Sequence, residues 1–286
     1  MRFSECDPIL DERPLRQGDV IRSIASESDP FAAIGIIVTA DCDIARDKHF
    51  GLLSFVPVLP VEKFLSLFFL PKRLDRLLDA VGNQLTKSIR YFQQSNRPDF
   101  SQPLSETRTL SWLREVGPES VADALHISDR GARKRFVAQA DSYIYLTEAI
   151  GGTFTEQSSA HNNAAFSLGR CKSVDDAGRR LSSDIESFLT NLPGDALFLN
   201  SLSAEVSRGY VAYLRLLREI RDQQIALRAM RRPYEITSER FARLKPPYVY
   251  HLTQKLAAVF SAIGLPTEYE DERAINAKVC ASDILN

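Results

Sequence analysis

The sequence predicts an α+β protein: a small β-barrel over residues 1–60, a mainly helical region over 61–192, and a mixed C-terminal region over 193–286 that packs on the first. Three observations carry this. Ile34-Gly35-Ile36-Ile37-Val38-Thr39 is a β-branched apolar run, the composition of a buried strand. It lies between Val20-Ile21-Arg22-Ser23-Ile24 and Leu52–Leu59 with only loops between. Three short strands joined by loops curl into a barrel, whereas a parallel sheet needs helices between its strands. Beyond residue 60 the apolar period lengthens: Phe64, Leu67 and Phe68, then Leu74, Leu77, Leu78, Val81, Leu85 and Ile89 follow helical spacing.

Taken in order, Pro14–Asp19 is a turn leading into the first strand, and Pro57 suggests an edge or bulge position in the third. Pro71 is expected to break or kink the helix that Phe64 begins, and 93–106 reads as a polar, proline-containing linker. Residues 133–146 fit either helix or strand. The Ser/Asn-rich stretch 153–172 reads as a loop, and Ala177–Leu192 as a helix ended by Pro193-Gly194. Ala196–Leu199 and Gly209–Leu214 have strand composition. The last helix starts near Pro247 and stops at Gly264-Leu265-Pro266.

A length of 286 residues with 44% hydrophobic and 26% charged residues supports a sizeable core. The net charge of −1 excludes a molecule that binds polyanions by its overall field, so nucleic-acid binding requires a local patch. Cys6, Cys42, Cys171 and Cys280 are scattered, with no CxxC or zinc-finger spacing. The N-terminus lacks the apolar stretch of a secretion signal. The most apolar run, Phe64–Leu70, falls short of the roughly 20 residues that span a bilayer. A cytoplasmic protein with no membrane association is expected. The absence of HExxH, a glycine-rich phosphate loop or G-x-S-x-G leaves the cofactor unknown and those chemistries unsupported.

Three stretches hold candidate functional residues. Asp41-Cys42-Asp43 closes the central strand, with His49 close behind. The carboxylates could hold a hard cation, with Cys42 and His49 as softer ligands. Alternatively Cys42 is a nucleophile with His49 as its base, or a small hydrophobe between two turn carboxylates. The second stretch is Glu119–Phe136, with a basic run at Arg130, Arg133, Lys134 and Arg135. The third is Arg208–Lys245, where ten Lys/Arg, including Arg228, Arg231 and Arg232, stand against four acidic residues, and Tyr210, Tyr213 and Tyr234 interleave. That suits single-stranded nucleic acid. Pairs such as Arg215/Glu219 and Arg218/Asp222 at helical spacing suit a solvated, salt-bridged face instead.

Glu119–Phe136 resembles the helix-turn-helix of DNA-binding regulators. The resemblance implies that a small Ala122 admits the second helix, that Leu125 and Ile127 are core, and that Ser128 caps a helix whose cations meet phosphates or guanine edges. His126 stands where a turn glycine is usual. An Asp-x-Asp after an apolar strand also resembles nucleotide-sugar transferases and haloacid-dehalogenase phosphatases, although Ala45 occupies the latter's threonine position. Gly35–Ala45 and Arg243–Pro266 together resemble a group of uncharacterised bacterial proteins. Gly18-Asp19-Val20-Ile21, the strand ending at Thr39 and Leu53–Leu59 are similar in layout to the SH3-like barrel of PemK/MazF-type RNA-cleaving toxins, with Ala32 and Ala33 where those carry a basic residue. These likenesses imply a component of a bacterial regulatory or defence locus, toxin-antitoxin or anti-phage, that binds nucleic acid or a protein partner. The alternatives are a nuclease-like or phosphate-handling toxin using Asp41, Cys42, Asp43 and His49, and a structural adaptor.

Overall fold

Nine strands form among the described residues of the computed structural model, which are 4–9, 13–25, 28–96, 106–202, 209–226, 236–261 and 267–285. They are β1 (Cys6–Pro8), β2 (Asp19–Ser23), β3 (Ile34–Ile37), β4 (Leu52–Pro60), β5 (Ala196–Leu199), β6 (Tyr210–Tyr213), β7 (Arg218–Arg221), β8 (Ile225–Ala226) and β9 (Ser238–Leu244). The sheet order is β1-β9-β2-β3-β4-β6-β5; β7 also pairs with β4, and β8 pairs parallel to β9. The pairs β1–β9, β2–β9, β2–β3, β3–β4, β4–β7 and β5–β6 are antiparallel, and the sheet curls into a half-barrel within an α+β fold.

The chain divides into two compact units. Met1–Leu59 and Leu192–Asn286 form a β unit; Pro60–Asn191 form a helical unit. In the β unit the central strands are buried on both faces. Val20, Ile36, Val56 and Val58 join Leu199, Ala212, Leu244 and Leu252 in one cluster, while Ile21, Ile37, Leu53, Phe55 and Ile225 form another. Burial on both faces explains why these strands read as continuous apolar runs. Gly35 is required by close approach: a Cβ there would lie 2.2 Å from the Phe55 ring. Gly18 has φ +87°, and a Cβ would meet Val249 at 2.5 Å. The helix Pro246–Ser261, which carries Val249, therefore seats against that turn.

Pro57 is not at an edge, contrary to expectation, because β4 has neighbours on both sides in the sheet order. Pro57 lies opposite Gly35 of β3 and beyond the end of the β4–β7 register at Phe55. The basic C-terminal segment also differs from expectation. Its described residues, 209–226 and 236–245, carry strands and no α-helix, so Arg215/Glu219 and Arg218/Asp222 are not helical neighbours; Arg215 pairs with Asp195 and Arg218 with Asp29. Arg228, Arg231, Arg232, Tyr234 and the Gly264-Leu265-Pro266 stop lie outside the described residues.

The helices are α1 (Asp41–Ala45), α2 (Val61–Phe64), α3 (Leu70–Asn96), α4 (Glu106–Val116), α5 (Pro118–Ala124), α6 (Arg130–Ala149), α7 (Phe154–Ser167), α8 (Val174–Thr190), α9 (Pro246–Ser261) and α10 (Thr267–Leu285). Pro71 does not break the chain's helical course. A π-helical turn, Leu65–Phe69, joins α2 to α3, and the Leu70 N–H bonds back to Leu65. That wide turn accommodates a residue that cannot donate and would crowd an ordinary turn. The ambiguous 133–146 is helix, within α6. The expected loop at 153–172 is mostly α7, started by a capping box in which Thr153 and Glu156 satisfy each other's backbone N–H. Leu85, Ile89, Leu113, Val121, Leu125, Phe136 and Leu146 are among the core residues of the helical unit, with Ala160 and Ala164 of α7. Among the described residues no helix is long and apolar enough to cross a membrane.

Candidate functional site

Glu119–Phe136 folds as a helical hairpin, α5–turn–α6. Ala122 is fully buried, and Leu125 and Ile127 are core. His126 adopts φ 51°, the left-handed conformation for which glycine is the usual residue. The turn is fixed by main-chain bonds from Ile127 N–H to Ala122 O (3.1 Å) and His126 N–H to Asp123 O (2.9 Å). Asn96, at the end of α3, donates its side-chain amide to the carbonyls of Leu125 (2.9 Å) and His126 (3.1 Å). The helix cap is Asp129 rather than Ser128: Asp129 Oδ1 accepts from the Ala132 N–H at 2.6 Å. With the helix starting at Arg130, Gly131 sits in its first turn, where a glycine weakens the helix less than in the interior.

The four basic residues of α6 have different fates. Arg133 donates from Nε and Nη2 to Glu119 Oε2 at 3.0 and 2.6 Å, and from Nη1 to Asp123 Oδ1 at 2.5 Å. It straps α6 to α5. The Arg133 hydrogen bond holds Asp123 below the usual carboxylate range, and the two carboxylates keep Arg133 firmly protonated. Arg130, Lys134 and Arg135 are exposed and have no ion-pair partner among the described residues. Arg135 also borders a groove of about 350 Å³ between α3 and α6, shared with Lys87, Tyr91, Phe92 and Gln139. Tyr91 is 64% exposed. Lys87 and Tyr91 were not legible as partners of the basic run because nothing in the sequence says that α3 lies beside α6.

The acidic corner lies on α1, a helix of a single turn separated from the end of β3 by three residues. Asp41 and Cys42 are exposed. Asp41 Oδ1 accepts the Gln17 N–H at 2.8 Å, and Cys42 Sγ lies 3.6 Å from Asp43 Oδ1. His49 faces elsewhere. Its Nδ1 is 3.3 Å from the Asp43 carbonyl and its Nε2 is 3.3 Å from Asp222 Oδ2, with the side chain only 7% exposed. Both ring nitrogens are thus engaged, and the base expected for Cys42 is turned to Asp222. The other Asp222 oxygen is buried with no hydrogen-bond partner among the described residues. Among those residues, no group of three or more His, Cys, Asp or Glu converges as a metal site.

A second charged cluster in the β unit was missed in the sequence. Asp19, fully buried, receives Arg240 Nη1 at 2.8 Å and Arg243 Nε at 2.5 Å. Arg240 also donates to the Pro14 and Arg13 carbonyls. The legible signal is alternation: Ser238, Arg240, Ala242 and Leu244 share the inward side of β9, so an arginine points inward and requires a carboxylate. Compared with protein-family models, curated proteins and solved structures, the chain matches none.

Proposed function

We propose that the helical unit binds nucleic acid through the first two turns of α6, with Arg130, Lys134 and Arg135 meeting the phosphates or base edges of a duplex. The observation that carries this reading is the division of labour on α6. One arginine is consumed in strapping the hairpin, while three neighbouring cations remain exposed and without an ion-pair partner among the described residues. Phosphate affinity follows from such cations. Lys87 and Tyr91 extend the surface along the groove, with Tyr91 a platform for an unstacked base.

In the same reading, β2–β4 are the remnant of an SH3-like barrel, supported by their consecutive antiparallel pairing. The protein belongs to a bacterial regulatory or defence locus, as its sequence likenesses imply. It works in the cytoplasm, where the thiols of Cys6, Cys42, Cys171 and Cys280, all free, stay reduced.

The test is fluorescence anisotropy of the full chain with a labelled mixed-sequence duplex and a single strand, across a salt series. Binding is expected to weaken with salt, and the combined substitution Arg130→Ala, Lys134→Ala and Arg135→Ala should lower the magnitude of the logarithmic salt slope by about 3 on the duplex. Unchanged affinity and slope in that variant would refute the reading. Stronger retention of the single strand would shift the contact from α6 to the Tyr91 groove.

A further inference from the structure

The β unit contains a cavity of about 320 Å³ lined by Arg13, Arg16, Asp41, Arg243, Lys245 and Tyr250, among others. That volume lies at the small end of ligand pockets, roughly 300–1,000 Å³. Its charge is built into the fold. Arg243 is held in place by Asp19 and by the Pro14 carbonyl, to which Nη2 donates at 2.7 Å. Because Asp19 serves both Arg240 and Arg243, two guanidiniums share one carboxylate and the buried cluster keeps a surplus positive charge. Arg13 and Arg16 are exposed, and neither has an ion-pair partner among the described residues. Asp7 is the other carboxylate on the wall, 3.8 Å from Lys245 Nζ.

The cavity borders the first turn of α9, whose dipole adds positive potential. That turn supplies no free donors, since Pro246 and Pro247 have no N–H, and the N–H groups of Tyr248 and Val249 bond to Lys245 O. An anion here must therefore be gripped by side chains, and planar guanidiniums match phosphate oxygens in pairs. Asp41 uses one oxygen on Gln17, and the other, without a hydrogen bond among the described residues, can accept from a hydroxyl. Tyr250 is 67% exposed, open to a ring.

We propose that this cavity binds a small phosphate-bearing ligand of nucleotide size: the phosphate on Arg13 and Arg16 with Arg243 behind them, sugar hydroxyls on Asp41, and the base against Tyr250. The site is separate from the α6 surface and does not depend on that reading.

Isothermal titration of the full chain with a nucleoside 5′-monophosphate, inorganic phosphate and the unphosphorylated nucleoside tests it. The nucleotide should bind most tightly, phosphate more weakly and the nucleoside least. Arg13→Ala with Arg16→Ala, two exposed positions, should cost the nucleotide at least about tenfold in affinity while leaving the melting temperature and duplex affinity unchanged. Tyr250→Ala should narrow the gap between nucleotide and phosphate. No heat with the nucleotide, nucleoside binding as tight as nucleotide binding, equal affinity for nucleotide and phosphate, or full affinity in the double variant would overturn the proposal.

Discussion

Both units carry ion pairs at their surfaces, but among the described residues only the β unit also buries one. The helical unit keeps its ion pairs outside: Arg133 with Glu119 and Asp123, Arg73 with Asp184, and Arg180 with Asp176. Its interior is largely aliphatic and aromatic side chains from consecutive helices. The β unit instead buries Asp19 and Arg240 at the junction of β2 and β9, strands more than 200 residues apart in the chain. An exposed pair contributes little, about 0–1 kcal/mol. A buried charge that loses its partner is far more costly, because nothing replaces the lost hydration. The helical unit therefore tolerates changes in its charges, whereas the β unit's sheet depends on one carboxylate.

Asp19→Asn should destabilise the β unit by about 3–5 kcal/mol, seen as lost hydrogen-exchange protection of β2 and β9 amides. Trp112, the one tryptophan, lies in the helical unit, so its fluorescence transition in urea should keep its midpoint. A Trp112 midpoint that falls in step would show that the two units unfold as one.

A smaller effect approaches from the other side. Thr153→Ala removes the capping box of α7 and should cost about 1 kcal/mol, lowering the Trp112 midpoint while β9 protection holds. The capping box also marks how much of the fold the sequence disclosed. Thr153-Phe154-Thr155-Glu156 was a readable helix start, yet the Ser/Asn content around it resembled a loop. Alanines such as Ala160 and Ala164, with Gln157, bury this helix, so it lacks the large apolar stripe that periodicity detects. The β-branched strands and α3 were legible because their burial is written in Ile, Val and Leu. β9 was not, because Arg240 occupies an inward position and basic composition suggests a surface. Of the candidate site, the small Ala122 and the cationic run were visible in the sequence. That Arg133 belongs to the hairpin itself, and that His49 turns to Asp222, required the long-range packing.

The smallest effect concerns pH. Burial pushes His161 below its ordinary value, with a hydrogen bond to Asn162 opposing in part. Below the ordinary value of about 6.5, the unfolded chain takes up a proton that the folded helical unit resists. Stability should therefore fall as pH drops from that value through the lowered one. His161→Gln should flatten this dependence in Trp112-monitored urea titrations taken on either side of the window. An unaltered pH dependence would assign it to other groups.

The position of β9 between β1 and β2 has a consequence for how the protein is made. The helical unit leaves the ribosome as an unbroken block and can fold from contacts already present in it. The earliest strands cannot complete their sheet until Ser238–Leu244 has been synthesised. Until then β2 presents an unpaired edge and Asp19 lacks both arginines, so nascent or truncated chains carry a sticky strand and an uncompensated carboxylate. Premature termination before residue 238 should therefore leave a folded helical insert flanked by an aggregation-prone remainder.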